Sequence, residues 1–284
     1  MGKQGKKKRI WLRVLLGILA ALLLVIIGYV LYVMISYHRL PDDLTLDVRT
    51  PENADITGTV SVGTDYEIIT YNIGFGAYTP DYSFFMDGGK SSVAASKESV
   101  LATVSGAGEL AAGYDPDFMI FEEVDLKATR SYHVDEYELL DKYFSGYYSD
   151  FAINYDSAFL MVPPWEPHGK SLAGIAFYSK YPIASAVRKS FPISTSFSKF
   201  LDLDRCYSIS RIPADNGKEL VIFSLHMSAY GNSDAIREAQ VNKLCGDMQA
   251  EYEKGNYVIC GGDFNHDLKA SEDTEEDRAS WAYP

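Results

Sequence analysis

The hydrophobic positions of this chain fall into one long block and then a series of short ones. Val14–Ile35 runs 22 residues without a charge. A helix of that length spans a hydrocarbon core of about 30 Å. Residues 36–63 have little periodicity, with Pro41, Pro51, Gly58 and Gly63 among scattered acids. They predict a linker with at most a short strand near Thr57–Val62. Tyr66–Ile73 alternates and is β-rich, which predicts a strand ending near Asn72. Ser96 is placed to cap a helix through Ala112, with Val100, Leu101, Val104, Ala107 and Ala111 as its apolar stripe and Gly113 at its end.

Further on, Phe118–Phe121 predicts a short buried strand finishing in Glu122, Glu123, Val124 and Asp125. Leu126 to Tyr155 is mixed, with a helix expected around Val134–Phe144. Strands follow at Leu172–Tyr178, after the turn Ser179–Ile183, at Cys206–Ile212 and at Glu219–His226. Asp215-Asn216-Gly217 makes the last pair a hairpin. Ser233 or Asp234 caps a helix to about Tyr252, with Val241, Leu244, Cys245, Met248 and Tyr252 on one face and Gly255 as its stop. Tyr257–Cys260 is the last buried strand. Gly261 and Gly262 are expected to turn the chain, leaving Asp263 and Asn265 on a loop past the strand end. Hairpins mixed with helices that lead into strands define an α/β domain with helices covering packed sheets.

Charge changes this picture in two ways. Residues 1–39 hold Lys3, Lys6, Lys7, Lys8, Arg9, Arg13 and Arg39 and no acid, so the remaining chain carries 19 basic and 39 acidic residues. A domain that acidic repels long polyanions unless metal ions or local basic patches compensate. Six positive charges precede the apolar block and only Arg39 closely follows it. The positive-inside rule then places residues 1–13 in the cytoplasm as a basic tail, 14–35 in the cell membrane as a single-pass anchor, and the rest outside. Length, and Tyr29, Tyr32 and Tyr37 towards the outer end, favour an uncleaved anchor over a cleaved signal. Three cysteines, Cys206, Cys245 and Cys260, form no disulfide framework and no zinc spacing. Cys245 and Cys260 read as small buried hydrophobes, and a Cys206–Cys245 bridge stays open.

Four apolar runs end in polar residues: Asn72, Glu123, His226, and Asp263 with Asn265. Each has an ordinary explanation, such as a turn in which Asp or Asn bonds its own backbone. Strands of one sheet bring their ends together, however, so four such endings suggest a shared cleft. A carboxylate and an amide at a strand end suit a hard cation and a phosphate.

Taken in order, these stretches resemble the endonuclease/exonuclease/phosphatase superfamily, which has the DNase I-like fold. Thr70-Tyr-Asn-Ile73 resembles its first motif, Phe121-Glu-Glu-Val124 its Gln-Glu-Val motif with Glu122 in place of Gln, and Ser179-Lys-Tyr-Pro-Ile183 its turn motif. Leu225-His-Met227 resembles its His-bearing strand end, and Gly262-Asp-Phe-Asn265 its most specific motif. The resemblance implies a four-layer α/β/β/α sandwich over residues 64–284, preceded by the single transmembrane helix. It implies one divalent ion, Mg²⁺ or alternatively Mn²⁺, held by Glu123 with help from Asn72. Asp263 then orients or deprotonates the attacking water, and Asn265 and His226 hold phosphate oxygens. Arg205 is a weaker candidate for a phosphate contact, with a surface salt bridge as its ordinary role.

The substrate implied is a phosphate ester: nucleic acid, a phospholipid headgroup or a soluble phosphodiester. The family closes with Ser-Asp-His, whose His is the general base. That tripeptide does not occur here, and His266 stands at the wrong place. The expectation is a C-terminally truncated fragment, weak or inactive by itself. A non-catalytic surface binding module is the alternative.

Overall fold

The computed structural model of this protein describes residues 2–52, 54, 56–194, 196, 199, 204–228 and 234–265. The candidate cap Ser233, His266, the acidic stretch 270–277 and residues 280–284 lie outside the described residues. The chain divides into two compact units, Met1–His38 and Arg39–Pro284. The first is a single helix, α1 (Gly2–Ser36). Its apolar part, Ile10–Ser36, is long and apolar enough to cross a membrane.

Among its described residues the second unit holds nine strands. One sheet contains β2 (Ile68–Asn72), β3 (Phe118–Asp125), β5 (Leu172–Ser179) and β4 (Tyr148–Asp156), in that order. The other contains β1 (Leu44–Thr45), β6 (Ser185–Ser190), β7 (Cys206–Pro213), β8 (Glu219–His226) and β9 (Tyr257–Asp263), in that order. Among the described residues three α-helices accompany them, α2 (Lys97–Gly113), α3 (Glu136–Leu140) and α4 (Asp234–Glu253), with two single 3-10 turns at Gly74–Gly76 and Phe85–Asp87.

Strand alternation sorts the apolar side chains into three layers of core. Phe118 and Ile120 of β3 face the other sheet and meet Ile212, Leu220 and Ile222. Met119 and Phe121, one position on, face outward and pack with Val100, Val104, Ala107 and Ala111 of α2. Tyr207, Val221 and Phe223 face the other way and pack with Leu244 of α4. This is the expected α/β/β/α sandwich. Each such buried side chain contributes roughly 1.5–3 kcal/mol. Ser96 caps α2 by accepting from the Ser99 N–H.

Several expectations need correction. Residues 39–63 are not a free linker: β1 pairs with β6, Val60 bridges Ala214, and the compact unit begins at Arg39. Leu46, Val48 and Val60 of this segment pack on the core between the sheets, but the apolar run is short and lies between Pro41 and Pro51 among acids, so it reads as linker. The helix expected over Val134–Phe144 is only five residues long. Its end tightens where Phe144 turns into the core. Gly261 and Gly262 do not end a strand. They lie inside β9, and a Cβ on Gly262 would sit 2.1 Å from the Leu225 carbonyl oxygen. All three cysteines are free, and Cys245 is exposed rather than buried. The buried seam of α4 runs through Gln240, Leu244 and Glu251, while Val241 and Tyr252 face solvent.

One acid lies in the core between the sheets. Asp150 of β4 is fully buried and accepts the Ser210 hydroxyl at 2.6 Å, while its Oδ1 bonds no protein atom. Burial pushes its carboxyl up to about 7. The folded protein therefore binds a proton there that the unfolded chain releases near pH 4. Stability is expected to fall as pH rises through that window, by on the order of 4 kcal/mol if nothing relaxes. Asp150→Asn should remove this slope. Melting temperatures at pH 5 and pH 8 check it, with the variant losing less on the way up. Parallel losses in both proteins would rule Asp150 out as the titrating group.

Candidate active site

The two sheets bring β2, β3, β8 and β9 to a common end. β2 and β3 are parallel, as are β8 and β9, so Asn72, His226 and Asp263 all close strands pointing the same way. His226 and Asp263 are direct partners across the β8–β9 ladder. Glu123 arrives by a different device. The register of β3 against β5 shifts between Phe121 and Val124, and Glu123 takes a positive φ of 56°. This bulge aims two adjacent glutamates differently.

Glu122 goes inward: it is 1% exposed and accepts the Thr70 hydroxyl at 2.6 Å. Burial, with the nearby charges of Asp263 and Glu123, pushes it up to about 8 despite that bond. At neutral pH it is a neutral acid, close in shape and charge to the Gln it replaces. Glu123 goes into the cleft, where its side chain is 24% exposed. Burial raises its pKa, partly offset by Arg130, Asn72 and Arg205, while Asp263 adds to the rise.

Asn72 joins the two cleft carboxylates. Its Nδ2 donates to Asp263 Oδ2 at 2.8 Å and, over a longer 3.3 Å, to Glu123 Oε1. Its Oδ1 accepts the Gly74 N–H at 2.9 Å, which leaves one lone pair for any further partner. Asp263 Oδ1 accepts the Asn265 N–H at 2.8 Å. Asn265 sits at φ 50°, a conformation Asn tolerates, and its Nδ2 donates to the Met227 carbonyl at 2.9 Å.

The His226 ring is 2% exposed. Its Nε2 lies 3.7 Å from Asp263 Oδ2 and 3.9 Å from Glu123 Oε1. Its Nδ1 is buried and bonds no protein atom. Burial, then the charges of Arg205 and Arg130, hold its pKa well below the usual histidine range, so the ring is neutral.

Arg205 is not the surface ion pair expected of it. It is 3% exposed, and its Nε and Nη1 are buried without a hydrogen-bond partner. It immediately precedes β7, whose first residue, Cys206, pairs with His226. A buried guanidinium with unused donors is costly unless an anion completes it.

Sequence reasoning missed Arg130. It is buried and grips Asp125 through Nε at 3.1 Å and Nη2 at 2.8 Å. Its guanidinium stacks 4.0 Å from the centroid of Phe75. Glu136 locks the far side by accepting the Asp125 N–H at 2.8 Å. Arg130 supplies positive potential to both Glu123 and His226. An Asp and an Arg five residues apart give no sequence signal beyond an ordinary charged loop.

Among the described residues no three His, Cys, Asp or Glu side chains converge as a ready metal cage. The oxygen donors that do converge are the carboxylates of Glu123 and Asp263, which Asn72 joins through its Nδ2 and not through its oxygen. Hard oxygen donors in that number suit Mg²⁺, which binds through one or two carboxylates and keeps several waters. The residues therefore fit the ion.

The described fold is similar to that of solved structures. One is an endonuclease/exonuclease/phosphatase from Beutenbergia cavernae DSM 12333, with a TM-score of 0.51 and 14% identity, over 70% of this chain and 47% of that one. Another is ANGEL2, a 2′,3′-cyclic phosphatase, with a TM-score of 0.50 and 14% identity, over 79% of this chain and 57% of that one. The chain thus spans about half the length of these structures. No curated protein matches it. The chain belongs to the endonuclease/exonuclease/phosphatase family, whose sequence model matches residues 69–275.

Proposed function

We propose that this protein is a membrane-anchored, extracytoplasmic phosphoesterase that depends on a divalent ion. Members of its family are phosphoesterases and nucleases and are generally divalent-metal dependent. The observation that carries the reading is the junction of Glu123 and Asp263 on Asn72, beside a neutral His226 and the partnerless donors of Arg205. A binding module needs no such pairing of half-buried carboxylates with unused cationic donors.

Glu123, assisted by Asn72, would hold Mg²⁺ or Mn²⁺, which when bound supplies Lewis acidity at the phosphate oxygens. The remaining work falls to the chain. Asp263 accepts a hydrogen bond from the attacking water and aligns it with phosphorus. The water oxygen bonds to phosphorus as the ester P–O bond breaks; Asp263 takes the proton the water gives up, and the leaving oxygen is protonated from solvent. In the Nε2–H tautomer His226 donates to a phosphate oxygen, and Arg205 and Asn265 hold the others as charge develops. In this arrangement residues 1–13 are the cytoplasmic tail, 14–35 the anchor, and the domain from Arg39 onward, with residues 64–284 in it, faces outward.

Hydrolysis of bis(4-nitrophenyl) phosphate with Mg²⁺ tests the chemistry. Arg205→Ala should raise KM about 10- to 100-fold, the scale of a lost charged hydrogen bond. An unchanged KM would remove Arg205 from the site. Orientation is checked separately: protease added outside sealed cells should digest the domain. Protection until lysis would reverse the topology.

A further inference from the structure

The anchor and the active site are connected by very little chain. Only Tyr37 and His38 separate the end of α1 at Ser36 from Arg39, the first residue of the compact domain. Three Cα steps reach at most about 11 Å. Where Arg39 is fixed on the domain therefore decides which end of the sandwich the chain leaves towards α1.

It is fixed at the active-site end. Arg39 Nε donates to Asp204 Oδ1 at 2.8 Å, and Nη2 to the Phe191 carbonyl at 2.9 Å. The Leu40 N–H donates to Asp204 Oδ2 at 2.9 Å, and Asp42 accepts the Ser190 N–H at 2.9 Å. Asp204 is the neighbour of Arg205, whose carbonyl accepts the Phe191 N–H at 2.8 Å. Ser190 pairs with Cys206, Cys206 with His226, and His226 with Asp263. Four neighbouring strands thus carry the attachment point and the catalytic cluster along one rim, within roughly 15 Å. The opposite rim, at Pro213 and Glu219, is about 23 Å away.

The loops of the same rim place apolar side chains in solvent. The loop between β4 and β5 leaves the end of the sheet that bears Glu123, because Ile153, Gly174 and Val124 share one register. Its Met161, Val162 and Trp165 are 47%, 41% and 70% exposed. Met86, in the segment between β2 and α2, is 48% exposed. These two segments are tied together. The Trp165 indole N–H donates to the Lys90 carbonyl at 3.1 Å, and Glu166 accepts from the Ser92 N–H at 2.6 Å. A fixed indole with its N–H satisfied and its ring in solvent suits a membrane interface.

We propose, building on the anchored-phosphoesterase reading, that this rim rests on the bilayer that holds α1 and that the substrate is a phosphate ester in a lipid headgroup. The occupant of the apolar loops is the lipid surface. A domain with 39 acidic against 19 basic residues beyond position 39 is poorly matched to a nucleic-acid polyanion. An anchored site also meets lipid in its own membrane at high effective concentration.

The experiment uses the full chain in phosphatidylcholine vesicles. With Trp11→Phe and Trp281→Phe, Trp165 is the sole indole, and lipid brominated on its acyl chains should quench it. Unquenched emission overturns the placement of the rim, whatever the enzyme does. Hydrolysis is then compared for a fluorescent phosphatidylcholine in the same vesicle, the same lipid in separate vesicles, bis(4-nitrophenyl) phosphate and a short oligonucleotide. The expected result is cleavage at least about tenfold faster in the same vesicle than in separate ones. Trp165→Ser should bring the first rate towards the second and leave bis(4-nitrophenyl) phosphate hydrolysis unchanged, and Trp165→Phe should retain both. Cleavage of the soluble diester or the oligonucleotide without the lipid overturns the lipid assignment and leaves the phosphoesterase reading intact. Ser-Asp-His does not occur in this sequence and the rates are expected to be low, so each is read against a metal-free blank; no Mg²⁺-dependent hydrolysis of any ester above that blank overturns both.

Discussion

Asp263→Asn is expected to lower the rate of phosphoester hydrolysis by about 10²–10⁴-fold, the range typical of a lost general base. Both Asp263 oxygens already accept a hydrogen bond, from Asn72 Nδ2 and from the Asn265 N–H. An amide at this position must set its own NH₂ against one of those donors. The variant therefore loses the charge that aligns the water and also disturbs the amide that joins Asp263 to Glu123. The loss should fall on kcat rather than on KM, because the proposed phosphate contacts of Arg205 and His226 are left in place. Steady-state kinetics at saturating Mg²⁺ separates the two. A loss confined to KM would mean that Asp263 binds substrate and does not act on water.

Glu123→Gln is expected to weaken Mg²⁺ and lower activity together, by at least about 100-fold in rate at limiting metal. The neighbouring change supplies the control. Glu122 is neutral at pH 7 by virtue of its burial, and it bonds Thr70 rather than the cleft. Glu122→Gln replaces one neutral group by another and should change the rate less than about threefold, inside the context scatter of a neutral hydrogen bond. Metal titration of both variants checks the pair. Greater damage from Glu122→Gln would reverse the assignment.

The parts of the fold that were legible are those where burial follows the backbone period. β8 runs from Glu219 to His226 as its β-branched run predicts, and the stripe and cap of α2 fall where Ser96 and Val100–Ala111 place them. β4 was hidden because its inner face carries Asp150 and Asn154 between the sheets, which breaks the apolar alternation. The seam of α4 was hidden for the same reason. Gln240 is buried because it bonds the Pro192 carbonyl and Ser228, and Glu251 because it pairs with Arg211.

At the site, Asn72, Glu123, His226 and Asp263 could be read from strand ends, since a strand end is a position the sequence does encode. The setting of Arg205 could not. Asp204 beside it makes a surface pair look natural, but Asp204 is taken by Arg39 and Arg188. That leaves the Arg205 guanidinium without a protein acceptor for Nε or Nη1, while its charge is felt at Glu123 and His226. Arg130 and Glu136 act through tertiary contacts with Asp125 that no local pattern announces.

The most direct measurement is a free-Mg²⁺ titration of bis(4-nitrophenyl) phosphate hydrolysis by the full chain and by Glu123→Gln. A single saturable Mg²⁺ dependence is predicted for the unmodified protein, abolished by chelation, with the curve of Glu123→Gln moved to at least about tenfold higher metal. Hydrolysis that survives chelation, or one curve shared by both proteins, would contradict a metal-dependent site built on Glu123.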